Sequence, residues 1–193
     1  MKKLIAMLLA LTCVFGLVAC GGNATNNNET PETTVEVIKP ASALEVLEKT
    51  WAAVEEDSKF PVMGGDFENM VDGAPGAYSL EDEGLSSTLL IPEAEIANVD
   101  EAASLVHGMM FNNFTFGAYH VTGDVAAFVE AMHTAITGNR WMCGMPEKLI
   151  IAVVGGEYVV AGFGINDAVA PFEAAFTATY PDAEMKYNEA ITG

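Results

Sequence analysis

Apolar and polar positions alternate along this chain in blocks of very different rhythm. Leu4 to Val14 is apolar apart from Thr12, and it follows Lys2 and Lys3. From Gly21 to Pro40 the residues are mostly Asn, Thr, Glu, Gly and Pro. That stretch has too little apolar surface to offset its ordering entropy, so a disordered tether is expected, with Val35, Val37 and Ile38 able to add a short edge strand. Beyond Pro40 the pattern becomes periodic. Ser42-Ala43-Leu44-Glu45 is a capping box, and Leu44, Leu47, Trp51 and Val54 recur at helical steps, predicting a helix to about Ser58. Between Pro61 and Gly84 stand seven glycines and prolines, so regular structure in Phe60–Gly84 should be sparse. Leu85 to Ile91 suggests a short strand, and Val99, Ala102, Ala103, Val106 and Met110 suggest a helix over Val99–Met110.

Phe114, Phe116, Ala118 and His120 then alternate with their neighbours at the period of a strand. Asp124 suits a helix N-cap ahead of Val125, Phe128, Val129, Met132 and Ile136, and Gly138 suits the C-terminal end. Leu149–Val154 and Tyr158–Phe163 flank Gly155-Gly156-Glu157, which predicts a hairpin. A last helix follows Asn166 with Val169, Phe172 and Phe176 inward, its regular part starting near Pro171, and Tyr180-Pro181 closes it. This order predicts an α+β fold, a small, mainly antiparallel sheet with helices packed on one face. Residues 41–193 are enough for a single domain with its own core.

The N-terminal block has the order of a secretory signal peptide, and its apolar run falls short of the ~20 residues that span a bilayer. It ends on Leu17-Val18-Ala19-Cys20, which resembles the bacterial lipobox. That resemblance implies removal of residues 1–19 and lipidation of Cys20, followed by the tether over 20–40. It places the protein on the extracytoplasmic face of the cell membrane, held by its acyl chains. Loss of Lys2 and Lys3 would leave 6 basic against 27 acidic side chains, moving the formal charge from −19 to −21. Such a surface argues against nucleic acid and against electrostatic adhesion to anionic lipid. If the host is bacterial, the Asn-x-Thr patterns at Asn23, Asn28 and Asn113 carry little weight. Together with the lipobox and tether, Asn113–Gly123, the Leu149–Phe163 hairpin and the Tyr180-Pro181 ending make the chain similar to uncharacterised lipoproteins of Gram-positive bacteria. The resemblance implies a fold and a location, and no activity.

Candidate chemistry is sparse. There is no Gly-x-Ser-x-Gly, His-Glu-x-x-His or Ser-x-x-Lys, and Gly162–Asp167 lacks the third glycine of a dinucleotide loop. Asp66, Glu68 and Asp72 match a calcium loop only in charge. No cofactor is expected, and an enzyme less so than a binding module. With Cys13 and Cys20 accounted for, Cys143 has no disulfide partner. The leading candidate is the long Phe60–Tyr78 segment, with Phe60, Met63, Phe67, Met70 and Tyr78 as contacts for an envelope protein or polymer, weighed against a role covering the sheet. The rival is a soft-metal site for copper from Met142, Cys143 and Met145 with His133, and with His120 as a further approach. Against that rival, Trp141, Met142 and Cys143 are expected to fill core space, His107 to cap a helix and His120 to sit satisfied in the core.

Overall fold

The computed structural model describes residues 38–192. The expected lipobox Leu17–Cys20, the expected tether up to residue 37, and Val35 and Val37 lie outside them, and Ile38 forms no strand. The α+β class holds. Helix α1 (Ala43–Ala53) is followed by three short strands, β1 (Val62–Gly64), β2 (Val71–Asp72) and β3 (Gly76–Tyr78), and by one helical turn, α2 (Gly84–Ser87). The remaining elements are β4 (Val99–His107), β5 (Phe114–Val121), α3 (Val125–Thr137), β6 (Lys148–Val154), β7 (Tyr158–Gly164), α4 (Asn166–Thr179) and β8 (Glu184–Ala190). All eight strands join one sheet in the order β2-β1-β4-β5-β7-β6-β8, with β3 also on β4, and every pairing is antiparallel.

The helices occupy both faces of that sheet, not one. Val46, Leu47 and Trp51 of α1 and Val169, Phe172 and Phe176 of α4 pack with Phe114, Phe116, Ile150 and Val160 on the first face. Phe128, Val129, Met132 and Ile136 of α3 pack with Leu149, Ile151, Val159 and Phe163 on the second. Two covered faces explain why β6 and β7 are almost entirely buried and read as continuous apolar runs. The caps follow the sequence. Ser42 accepts the Glu45 N–H at 3.1 Å, and Glu45 reaches back to the Ala41 N–H. Asp124 accepts the N–H groups of Ala126 and Ala127.

Four elements differ from the sequence-based expectation. Val99–His107 is a strand: Ala103 and Leu105 enter the first core while Val99 and Ala102 enter the second, and a run buried on both sides has no period that separates strand from helix. Leu85–Ile91 is not a strand. Its first residues form α2, and Leu85, Leu89 and Ile91 seal the second core. Helix α4 begins at Asn166, ahead of Pro171, because the Glu147 carboxylate accepts the Asn166 N–H at 2.8 Å and satisfies the open helix start. Strand β8 was not expected at all, being polar and mostly exposed at the sheet edge.

The glycine-rich segment does contain regular structure. Strands β1 and β3 lie end to end along the free edge of β4, pairing with Val106–His107 and with Ala102–Ser104 respectively. Where they meet the backbones nearly touch. A Cβ on Gly64 would stand 2.1 Å from the Gly76 nitrogen, so only glycine permits this junction.

Candidate functional site

The loop between β1 and β2 is built around Asp66, a residue only 5 % exposed. Its carboxylate accepts N–H bonds from Glu68 (2.9 Å), Asn69 (2.8 Å) and Ser79 (3.0 Å), and a further one from the Asn69 side chain. Burial pushes the Asp66 carboxyl up, but the donors from Asn69, Ser79 and Glu68 outweigh it and hold it below its ordinary range. Ser104 on β4 donates to the Gly65 carbonyl at 3.1 Å and fixes the loop base to the sheet. This framework leaves Phe67 87 % exposed at the tip, with Met70 exposed beside it.

Under that tip lies a cleft of 540 Å³ on the second face. Its apolar wall is Met63, Phe67, Met70, Tyr78, Val106 and Phe111, and its rim carries Glu68, Glu81, Asp82 and Glu83. None of the lining residues is basic. Tyr78 donates to Asp82 at 3.3 Å and is nearly buried, and burial first, then the Asp82 charge, raises its phenol well above the usual range. Of the five residues expected to bind, Met63, Phe67, Met70 and Tyr78 line this cleft. Phe60 does not. It packs on Trp51 and Phe114 in the first core and stacks on His107 at 5.3 Å.

Met109 and Met110 fall at the end of the helix expected over Val99–Met110, and Phe111, just beyond it, carries no signal of its own there. They form the connection from β4 to β5, where His107 Nδ1 accepts the N–H of Met109 at 3.1 Å. His107 therefore ends a strand and organises a turn; it caps no helix. Three large apolar residues in a strand connection are a legible signal once β4 is recognised. Phe111 also lines a second, smaller cleft of 230 Å³ with Met109, Met110, Asn112, Met142 and Cys143. The two clefts thus share a wall. Six of the eight methionines in the described residues are exposed, and Met109 and Met142 reach 81 % and 78 %.

The soft-metal set expected from sequence is not brought together. His133 stacks on Tyr187 at 3.8 Å and bonds Glu189 at 2.7 Å, beside β8. Met142, Cys143 and Met145 are exposed and fill no core space, whereas Trp141 packs on Phe163. Among the described residues no group of three or more His, Cys, Asp and Glu is placed to hold a metal ion.

His120 lies at the other end of the sheet. Its Nδ1 bonds Asp100, and its Nε2 stands 3.4 Å from Glu157, which also pairs with Lys39 at 2.8 Å. The hydrogen bond to Asp100 is the main cause raising the His120 pKa, with the charges of Asp100 and Glu157 adding to it against burial. The Ile38 N–H donates to Asp182 at 2.8 Å, so the chain enters the domain beside this cluster. Register fixes the polarity. Phe114 pairs with Gly164 and His120 with Tyr158, which puts the Phe111 turn and the Gly155–Glu157 turn at opposite ends of an eight-residue strand, about 25 Å apart.

No family model matches the chain, and neither does any curated protein or solved structure. Among the described residues no helix is long and apolar enough to cross a membrane.

Proposed function

We propose that this protein is a membrane-anchored extracytoplasmic lipoprotein acting as a non-enzymatic binding module of the cell envelope. The observation carrying the binding half is the exposed Phe67–Met70–Phe111–Met109–Met142 surface, continuous across two clefts. Soluble domains rarely leave such patches bare without a use, and unbranched, polarizable methionines adapt to varied partners. The acidic rim and the net charge of −19 specify the partner further: apolar side chains flanked by positive charge. The anchoring half rests on the resemblance of Leu17-Val18-Ala19-Cys20, behind Lys2, Lys3 and the apolar run, to a bacterial lipobox. The arrangement suits it, because the chain enters at Ile38, at the far end of the sheet from the binding surface.

The test of binding uses a labelled cationic amphipathic peptide and its acidic counterpart, followed by fluorescence anisotropy. The cationic peptide should bind, more weakly at high salt, and Phe67→Ala or Phe111→Ala should reduce the affinity about tenfold or more, as for a central apolar anchor. Equal binding of both peptides, or variants indistinguishable from wild type, would remove the binding proposal. Anchoring is tested separately: Cys20→Ala should abolish acyl labelling in cells, and persistent labelling would refute it.

A further inference from the structure

Asn112 joins two loops distant in sequence. Its side-chain amide donates to the carbonyls of Met142 at 2.6 Å and Gly144 at 2.7 Å, which bracket Cys143. Cys143 is held with φ at +62°, in the left-handed region, and its thiol is unpaired and exposed. The clamp brings the 142–144 loop against the β4–β5 turn, and the cleft between them is lined by Met109, Met110, Phe111, Asn112, Met142 and Cys143. The only hard donor-bearing side chain in that lining is Asn112, already committed to the clamp. The other side chains there able to ligate a metal belong to three methionines and one cysteine, which have little to offer Mg²⁺, Ca²⁺ or Mn²⁺, ions that take oxygen, and suit a soft ion.

We infer that Cys143, Met142, Met109 and Met110 form a site for a soft monovalent metal ion, Cu(I) or Ag(I). On binding, the Cys143 thiol releases its proton to solvent and its sulfur bonds the metal, while the three thioethers complete the shell as neutral donors. No change of oxidation state is involved. The acidic surface of the chain draws a cation toward the cleft without competing for it, since no carboxylate lines it. Met145, exposed on the same loop, and His133, bonded to Glu189, stand outside the set. The site shares Met109 and Met142 with the partner-binding surface but does not depend on that reading.

The full chain carrying Cys13→Ser and Cys20→Ser keeps Cys143 as its only thiol. Titrated with Ag(I), which needs no reductant, it should bind one ion per chain by native mass spectrometry. Cys143→Ser should abolish this, and Met109→Leu with Met142→Leu should weaken it while the thiol remains. Asn112→Ala should lower affinity about tenfold, as loss of a group that orients ligands does, and His133→Ala should change nothing. Circular dichroism checks that each variant is folded, which the exposed positions of Met109, Met142 and Cys143 favour. Affinity unchanged in the double methionine variant would mean a bare thiol and overturn the site, as would the absence of stoichiometric Ag(I) binding. Retained binding of the cationic peptide in that case would leave the partner-binding proposal standing.

Discussion

Asp66 shows how one side chain can hold an exposed loop in shape. Three backbone N–H groups and an amide converge on it, so its removal leaves several donors unpaired beneath Phe67. Asp66→Ala should destabilise the protein by about 2–4 kcal/mol in urea unfolding, because bonds to a charged acceptor are lost together. Phe67→Ala, at the exposed tip, should cost within ~0.5 kcal/mol. The pH dependence has a definite sign. The folded Asp66 carboxyl is depressed, so its contribution is present above the ordinary value of 3.8 and is lost as pH falls through the lower folded value. Stability profiles of wild type and Asp66→Ala should therefore converge in acid; parallel profiles would contradict the assignment.

Among elements, the short strands β1 and β3, end to end along β4, depend on the Gly64–Gly76 contact. Gly64→Ala would drive its methyl into backbone atoms that cannot rotate away, at 2.1 to 2.5 Å, and should cost about 3 kcal/mol or more, read as a lowered urea midpoint. Ala at Gly73, where nothing lies within 4 Å, should cost less, though its φ of +76° still exacts some strain. The elements legible from sequence were those with one buried face or a local signal: α1 and α3 through their caps, β5 through its alternation, and the β6–β7 hairpin through Gly155-Gly156. Strand β4 was not legible because Ala102 to Val106 are buried whichever way they point, and β8 was not because an edge strand needs no apolar period. The site followed the same logic. Met63, Phe67, Met70 and Tyr78 were found by the composition of their segment. Phe60 was misplaced because nothing local says that it turns toward Trp51, and Phe111 was passed over because it falls between the helix expected over Val99–Met110 and the strand starting at Phe114.

At the scale of the whole molecule the two ends of the sheet differ in chemistry: methionine and phenylalanine at one, a Lys39–Glu157–His120–Asp100 chain of charges at the other. The raised His120 pKa gives that end a pH response. Its contribution is fully present below the ordinary value of 6.5 and is lost as pH rises through the higher folded value. His120→Gln should flatten the fall in stability above neutrality measured by thermal unfolding, and an unchanged slope would show that His120 does not drive it. The sheet's outer boundary has a consequence of its own. Strand β8 presents Glu184, Lys186 and Glu189 along its open edge, next to Met185 and a half-buried Tyr187. Charges on an edge resist pairing with the edge of a neighbour, and the surplus of acid on every copy adds repulsion between them. Molecules crowded side by side in two dimensions would thus stay separate instead of zipping into ribbons, leaving each Phe67 tip open to solvent.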